Sequence, residues 1–294
     1  MLRRLPIETD TRTAKPGRHG ERPRLALAAL VGVWTLAACD GSGRAPAAVT
    51  HTGSAATPAE RELVVFAAAS LRAPFEALAT SFASAHAGVE VTLAFAGSQE
   101  LRAQLESGAD ADVVATADEG TFDALRAQGL TGEATIFARN EPVLIVAAHA
   151  RARVSSFDAL PEAERVVLGV PEVPIGRYAT AVLDRASQAR PGFRARVEAR
   201  VVSRELNVRQ VLAKVAMGEA DAGLVYRTDA RGEDALVVLA IPEDASVIAR
   251  YPIATLTRAP HPTLAATFVA LVRGAEGQRV LLEAGFLAPE GEGP

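Results

Sequence analysis

Residues 62–74 read Glu62-Leu63-Val64-Val65-Phe66-Ala67-Ala68-Ala69-Ser70-Leu71-Arg72-Ala73-Pro74, and this stretch decides the fold. Leu63 to Ala67 form a short, unbroken apolar run of the kind a strand covered on both faces requires. Ser70 marks the point where the pattern changes, and 71–85 then carry a helical period with Pro74 in or just after the first turn, where a missing N–H costs little. A buried strand running through a serine into a helix is the repeating unit of a layered α/β protein, with Ser70 expected at the N-cap.

The unit recurs along the chain. Residues 89–95 read as a strand followed by a helix over 99–106, and 113–116 as a strand followed by a helix over 119–128. Three such units in succession predict a parallel sheet with right-handed crossovers. The rhythm restarts with strands at 142–148 and 165–170, a helix over 177–190, a strand near 199–202, a helix over 208–217 and a buried strand at 222–226. A late strand at 251–256 and helices over 262–274 and 275–284 close the chain. Two α/β sheets with a C-terminal return predict two lobes, each a central sheet flanked by helices. Residues 62–140 and 252–294 form lobe 1 and 141–251 form lobe 2, with crossings near 139–142 and 249–252. Ligands of open α/β sheets bind beyond the carboxyl ends of the strands, which here is the cleft between the lobes.

The N-terminal segment bears on compartment rather than fold. Arg22 and Arg24 precede an apolar run over 25–38 that ends at Cys39, so 1–38 read as a secretory signal. The run falls short of the roughly 20 residues of a comfortable membrane span. The stretch before Arg22 is long for a signal and contains Glu8, Asp10 and Glu21, which points to a translation start further downstream. Cys39 is the only cysteine, which excludes an intramolecular disulfide and a site of several thiolates. Leu36-Ala37-Ala38-Cys39 resembles the bacterial lipobox, in which the cysteine is lipidated and becomes the mature N-terminus. The small, polar residues after Cys39 cannot bury enough apolar area to offset their ordering entropy, so 39–61 are expected to be a flexible tether.

Without 1–38 the chain holds 24 Lys+Arg against 32 Asp+Glu, a net charge of −8. Such a balance, without basic clusters, argues against a nucleic-acid partner. Any bound anion must then be held by local dipoles rather than by the overall field.

Four strand-to-helix junctions carry the chemistry: Ser70, Gly97-Ser98-Gln99, Val173-Pro174-Ile175-Gly176-Arg177, and Asn207-Val208-Arg209-Gln210, the last read as a capping box. Each aims backbone N–H groups and a positive helix end toward the cleft. Taken singly, a serine or asparagine at a helix start is ordinary capping. Together, two serines from one lobe and two turns from the other describe an anion site.

These segments, with Gly108-Ala-Asp-Ala-Asp112-Val, Ala117-Asp118 and Gly218-Glu-Ala-Asp-Ala-Gly-Leu-Val-Tyr226-Arg-Thr-Asp229, resemble in order the molybdate-binding proteins of ABC transporters. The resemblance spans nearly everything from Glu62 onward. It implies a two-lobed periplasmic binding protein fold of type 2 and a receptor without enzymatic activity, which the signal segment and Cys39 lead one to expect as an extracytoplasmic, membrane-anchored monomer. It implies molybdate or tungstate as ligand, no cofactor, no directly coordinated metal, and the permease and ATPase of an ABC importer as partners. Carried over residue by residue, Ser70 and Ser98 bind through hydroxyl and N–H, Ile175 and Val208 through backbone N–H, and Tyr226 through its phenol. Tyr226 also reads as a core aromatic ending a buried strand. Gln99 departs from the family's commoner second serine, which bears on selectivity.

Other readings are weaker. Asp110, Asp112 and Asp118 suggest metal ligands, but Asp118 sits at a helix start and the others flank a buried strand. Histidines 51, 86, 149 and 261 lack ligand spacing. Arg177 and Arg209 fit either the cleft or salt bridges. The alternatives are a receptor of the same fold for another oxyanion such as sulfate, or a hydrolase using Ser70, for which no Gly-x-Ser-x-Gly elbow is present.

Overall fold

The computed structural model describes residues 61–289. The signal segment, Cys39 and the tether up to residue 60 lie outside the described residues, as do 290–294. Lobe 1 contains strands β1 (Arg61–Ala68), β2 (Val89–Ala96), β3 (Val113–Ala115) and β4 (Thr135–Asn140) and helices α1 (Arg72–Ala85), α2 (Ser98–Glu106) and α3 (Glu119–Ala127). Lobe 2 contains β5 (Pro142–Ala147), β6 (Val166–Gly169), β7 (Val201–Glu205), β8 (Ala222–Tyr226) and β9 (Leu236–Leu239), with α4 (Pro174–Ala189), α5 (Phe193–Glu198) and α6 (Val208–Ala216). The chain returns along β10 (Ala249–Thr255) and ends in α7 (Pro262–Arg273) and α8 (Ala275–Glu283), back on lobe 1.

The two sheets have the same plan, β2-β1-β3-β10-β4 and β7-β6-β8-β5-β9. In each sheet one strand runs against all the others, β10 in the first and β5 in the second. Each is the strand on which the chain arrives from the other lobe. Strands that feed helices point their carboxyl ends at the cleft, and a strand entering from the cleft must point away from it. The three strands of the strand–helix units, β1, β2 and β3, are parallel as the sequence predicts, and β10 makes the sheet mixed.

The crossings are short. Glu141 alone separates β4 from β5, and β10 lies against β4 from its first residue, with Ala249 opposite Asn140. This pairing places Ala249, Arg250 and Tyr251 in the sheet of lobe 1, three residues before the 251/252 boundary read from the sequence. Strands β4 and β9 and helix α5 are not among the elements read from the sequence. Helix α4 begins at Pro174 rather than Arg177, because a proline at its first position fits the helix without needing its missing N–H.

Both sheets are covered on both faces. In lobe 1 Phe75, Phe82 and Phe268 pack edge-to-face beneath α1 and α7, with ring centroids 6.0 and 5.4 Å apart, while Leu101, Leu105, Phe122 and Leu125 cover the other face from α2 and α3. In lobe 2 Phe157 stacks on Phe193 at 5.1 Å on one side, and Val211, Leu212 and Val215 of α6 cover the other. Among the described residues no helix is long and apolar enough to cross a membrane.

Buried carboxylates tie loops to the sheets. Asp112 accepts the N–H groups of Val64 and His261 at 2.9 and 2.6 Å. Asp221, just before β8, accepts from His149 at 3.0 Å, Arg153 at 3.2 Å, Arg165 at 3.0 Å and the N–H of Glu164 at 2.9 Å. Burial by itself raises the Asp221 carboxyl, but the bonds from His149, Glu164 and Arg165 outweigh it and hold the pKa at about 2. A carboxyl lowered from its ordinary value of 3.8 contributes stability that is complete above that value and lost as pH falls toward 2. At about 1.4 kcal/mol per pKa unit, Asp221→Asn is expected to cost about 2 kcal/mol at pH 7. It is also expected to flatten the stability profile between pH 4 and 2. Urea unfolding at both pH values checks this, and an unchanged acid limb contradicts it.

Candidate functional site

The junctions singled out in the sequence converge on one cavity of about 20 Å³, lined by Ser70, Gly97, Ser98 and Ala117 of lobe 1 and Val173, Ile175, Asn207, Val208 and Tyr226 of lobe 2, among others. All five candidate ligand residues line it. The volume lies below the range of about 300–1,000 Å³ usual for drug-sized ligands, so the cavity suits a small solute.

Helix starts provide most of its polarity. Ser98 and Val208 are the first residues of α2 and α6, and Ile175 is the second residue of α4. N–H groups in a first turn have no partner inside the helix and carry its positive end. Asn207 caps α6, its side chain accepting from the N–H of Gln210 at 3.1 Å. Gln210 reaches back to the N–H of Leu206 at 3.0 Å, one residue before the position that a reciprocal capping box uses. Gly176 lets α4 start this close to β6, because a Cβ there would lie 1.9 Å from the carbonyl oxygen of Val170.

Ser70 is not the helix cap that the sequence suggests. It lies in a short 3-10 turn (Ala69–Leu71) ahead of α1, whose N-cap is Leu71. The Ser70 hydroxyl instead lies 3.0 Å from the phenol oxygen of Tyr251. Ser98 Oγ accepts the N–H of Ala117 at 3.0 Å. A hydroxyl that accepts from the protein keeps its own hydrogen for a ligand, and Tyr251 can supply the same bond to Ser70. Both serines are thus set up as donors.

Tyr226 completes the set. Its ring is buried in a tyrosine cluster, edge-to-face with Tyr178 at 6.1 Å and with Tyr251 at 5.8 Å, yet its hydroxyl is buried without a hydrogen-bond partner. Burial first, then the neighbouring phenols and the charges of Asp118 and Asp229, push its pKa well above the ordinary value. At neutral pH the phenol is therefore a protonated donor. An unpaired buried donor costs about 1–3 kcal/mol, which an acceptor ligand would recover.

The charged groups nearby are paired off. Arg209 lies 3.1 Å from Asp229, whose carboxyl burial pushes up to about 7 against the pull of Arg209. Arg177 pairs with Asp118, which also caps α3 through the N–H of Thr121 at 3.2 Å. No carboxylate lines the cavity. Gln99, beside Ser98, does not line it either; its Nε2 donates to the carbonyl of Leu206 in the other lobe at 2.8 Å. Among the described residues no three His, Cys, Asp or Glu side chains are grouped to hold a metal. The arrangement offers donors from both lobes to a ligand that is all acceptor. Sequence reasoning missed Tyr251 and the bridge made by Gln99, and left Arg177 between the cleft and a salt bridge, because each acts through a contact that only the folded chain creates.

A family model for bacterial extracellular solute-binding proteins matches residues 63–287. The molybdate-binding protein of Mycobacterium tuberculosis (strain H37Rv) is 41% identical over 236 residues, covering 79% of this chain and 87% of that protein. A putative ABC transporter substrate-binding lipoprotein of Bacillus subtilis is 30% identical over 230 residues, covering 77% and 86%. The solved structure of the periplasmic molybdate-binding protein of Azotobacter vinelandii superposes with a TM-score of 0.67 at 22% identity, covering 78% of this chain and 100% of that one. The two-lobed α/β architecture expected from the sequence is the architecture of these binding proteins.

Proposed function

This chain belongs to the family of bacterial extracellular solute-binding proteins, and on that footing we propose that it captures molybdate, with tungstate as a near-isosteric second ligand, in the closed cleft. The observation that carries this reading is the buried, unpartnered Tyr226 hydroxyl facing a cavity where Ser70, Ser98 and the first turns of α2, α4 and α6 present donors and no carboxylate. Ser70 and Ser98 act through hydroxyl and N–H, Ile175 and Val208 through N–H, and Tyr226 through its phenol. No cofactor or resident metal is needed, and none of these groups acts as a nucleophile.

A donor-only cavity selects by protonation and by size. Molybdate is fully deprotonated at neutral pH and offers only acceptors. Phosphate still carries a proton there, which would be left facing donors at a cost of about 1–3 kcal/mol or more. Sulfate is smaller and leaves some donors out of reach. The likeness to molybdate-binding proteins and to a substrate-binding lipoprotein supports the remainder of the proposal. In it Cys39 carries a lipid anchor, the receptor works as an extracytoplasmic monomer, and the lobes hand the oxyanion to the permease and ATPase of an ABC importer.

Calorimetric titration with molybdate, tungstate, sulfate and phosphate tests the ligand. Micromolar or tighter binding is expected for the first two, with phosphate and sulfate weaker by about a hundredfold, the equivalent of one or two lost charged hydrogen bonds. Failure of both metal oxyanions to bind, or tighter binding of sulfate, overturns the assignment. Mass spectrometry of the mature N-terminus decides on the anchor at Cys39.

A further inference from the structure

Beside the anion cavity, but outside its lining, one side chain bridges the two lobes with every nitrogen engaged. Arg177 sits in the first turns of α4, two residues after Ile175. Its Nε donates to Asp118 Oδ2 in lobe 1 at 2.5 Å, its Nη2 reaches the same carboxylate and donates to Thr121 Oγ1 at 2.6 Å, and its Nη1 is anchored at home on the carbonyl of Glu172. The Asp118 side chain is buried, and its other oxygen caps α3. The preceding residue, Ala117, donates its N–H to Ser98 Oγ. A continuous path of polar contacts therefore runs from α4 of one lobe through Asp118 and Ala117 to a cavity hydroxyl of the other. At another point on the rim, the Gln99 bond to Leu206 also crosses between lobes, but Gln99 Oε1 is left buried without a partner. Other side chains also cross between the lobes, Asn140 to Thr228 and Arg231 to the carbonyl of Glu283, but of the pair beside the cavity only the arginine has every polar atom engaged.

We propose that Arg177 is a positioning residue that sets how long the cleft stays shut on its anion, by clasping Asp118 across the lobes and so fixing the segment that orients Ser98. The inference rests on the oxyanion reading for its ligand, but the clasp itself is a property of the lobes. In an open cleft Arg177 and Asp118 are separated and hydrated, so their bonds contribute only to the closed state. They should slow release and leave capture nearly unchanged, since most affinity differences of this kind appear in dissociation.

The test uses the full-length chain and radiolabelled molybdate chased with excess unlabelled molybdate. Arg177→Gln removes the clasp, and Asp118→Asn removes its charge while keeping a residue that caps α3 well. Each is expected to speed dissociation by about tenfold or more, as for the loss of a hydrogen bond to a charged group, with association changed by less than about threefold. The double variant should release no faster than the faster single one, because both remove the same contact. Unchanged dissociation, or effects that multiply in the double variant, overturns the proposal. A second measurement needs no ligand: spin labels at Glu90 and Arg196, one on each lobe, in a Cys39→Ser background. The anion-free distance distribution should shift toward the open form in both variants. If the wild type binds no molybdate, the oxyanion reading falls. The distance measurement then decides the clasp, with identical distributions overturning it.

Discussion

Ser98→Ala is expected to weaken molybdate binding by about a hundredfold or more while the protein still folds. Two losses combine. The substitution removes a hydroxyl donor to a dianion, worth roughly 1.5–3 kcal/mol for a bond to a charged partner, and it leaves the N–H of Ala117 without its acceptor at 3.0 Å. An unsatisfied buried N–H costs about 1–3 kcal/mol, part of which will appear as a lower unfolding midpoint rather than as weaker binding. Isothermal titration and thermal unfolding on the same sample separate the two. Ser98→Thr keeps the hydroxyl and should recover part of the affinity. An alanine variant that binds within threefold of the wild type would remove Ser98 from the site.

Gly97→Ala is the second large effect, and it reaches the ligand without touching a donor. Gly97 has φ −62 and ψ 142, an extended conformation that alanine adopts freely, so lobe 1 has no backbone reason to resist the change. A Cβ at this position would come within 2.6 Å of the Gln99 side-chain nitrogen in its own lobe and, across the cleft, of the Leu206 carbonyl oxygen. Gln99 can swing away, but Leu206 is backbone of the opposing lobe and moves only if the lobes separate. Overpacking of this kind costs roughly 1–3 kcal/mol, and separation also withdraws the N–H groups of Ile175 and Val208 from the anion. Binding should fall by about a hundredfold while the unfolding temperature of the free protein stays within about 2 °C, since an open cleft relieves the clash. A large fall in stability with normal affinity for the folded fraction would show that the clash is absorbed inside lobe 1 instead.

These two substitutions also mark how far the sequence can be read. Gly97-Ser98 and Val173-Pro-Ile175-Gly176 are legible as helix starts because local geometry demands small or capping residues where backbone approaches backbone. Strand–helix alternation identifies the layers for the same reason, since a covered strand leaves an apolar run in the chain. Tyr226 is legible only in part: its ring belongs to the core, as a tyrosine ending a buried strand suggests, while its hydroxyl has a use that no local pattern encodes. Tyr251 carries no signal, and Arg177 and Gln99 are marked only by their place at helix starts, not by what they touch. Their partners are Ser70, Asp118 and Leu206, residues far away in the chain, and nothing in a local window distinguishes them from an ordinary buried tyrosine, a solvated arginine or a polar helix residue. The place of β10 between β3 and β4 is not legible for a related reason. A strand's partner is chosen by tertiary structure, whereas its period is written locally.

The return of β10 to the first sheet bears on how the chain must be made. β3 holds β1 on one edge, but its other edge waits for β10, which is translated only after all of lobe 2. Until residues 249–255 emerge, a nascent lobe 1 exposes an unpaired strand edge, and β4 has no neighbour to pair with. Sheet pairing over such a sequence separation is slow, because the loop must close before the contacts repay it. The lobes are therefore begun in one order and finished in the other: all five strands of lobe 2 are made before β10, so the lobe that is started first is completed second.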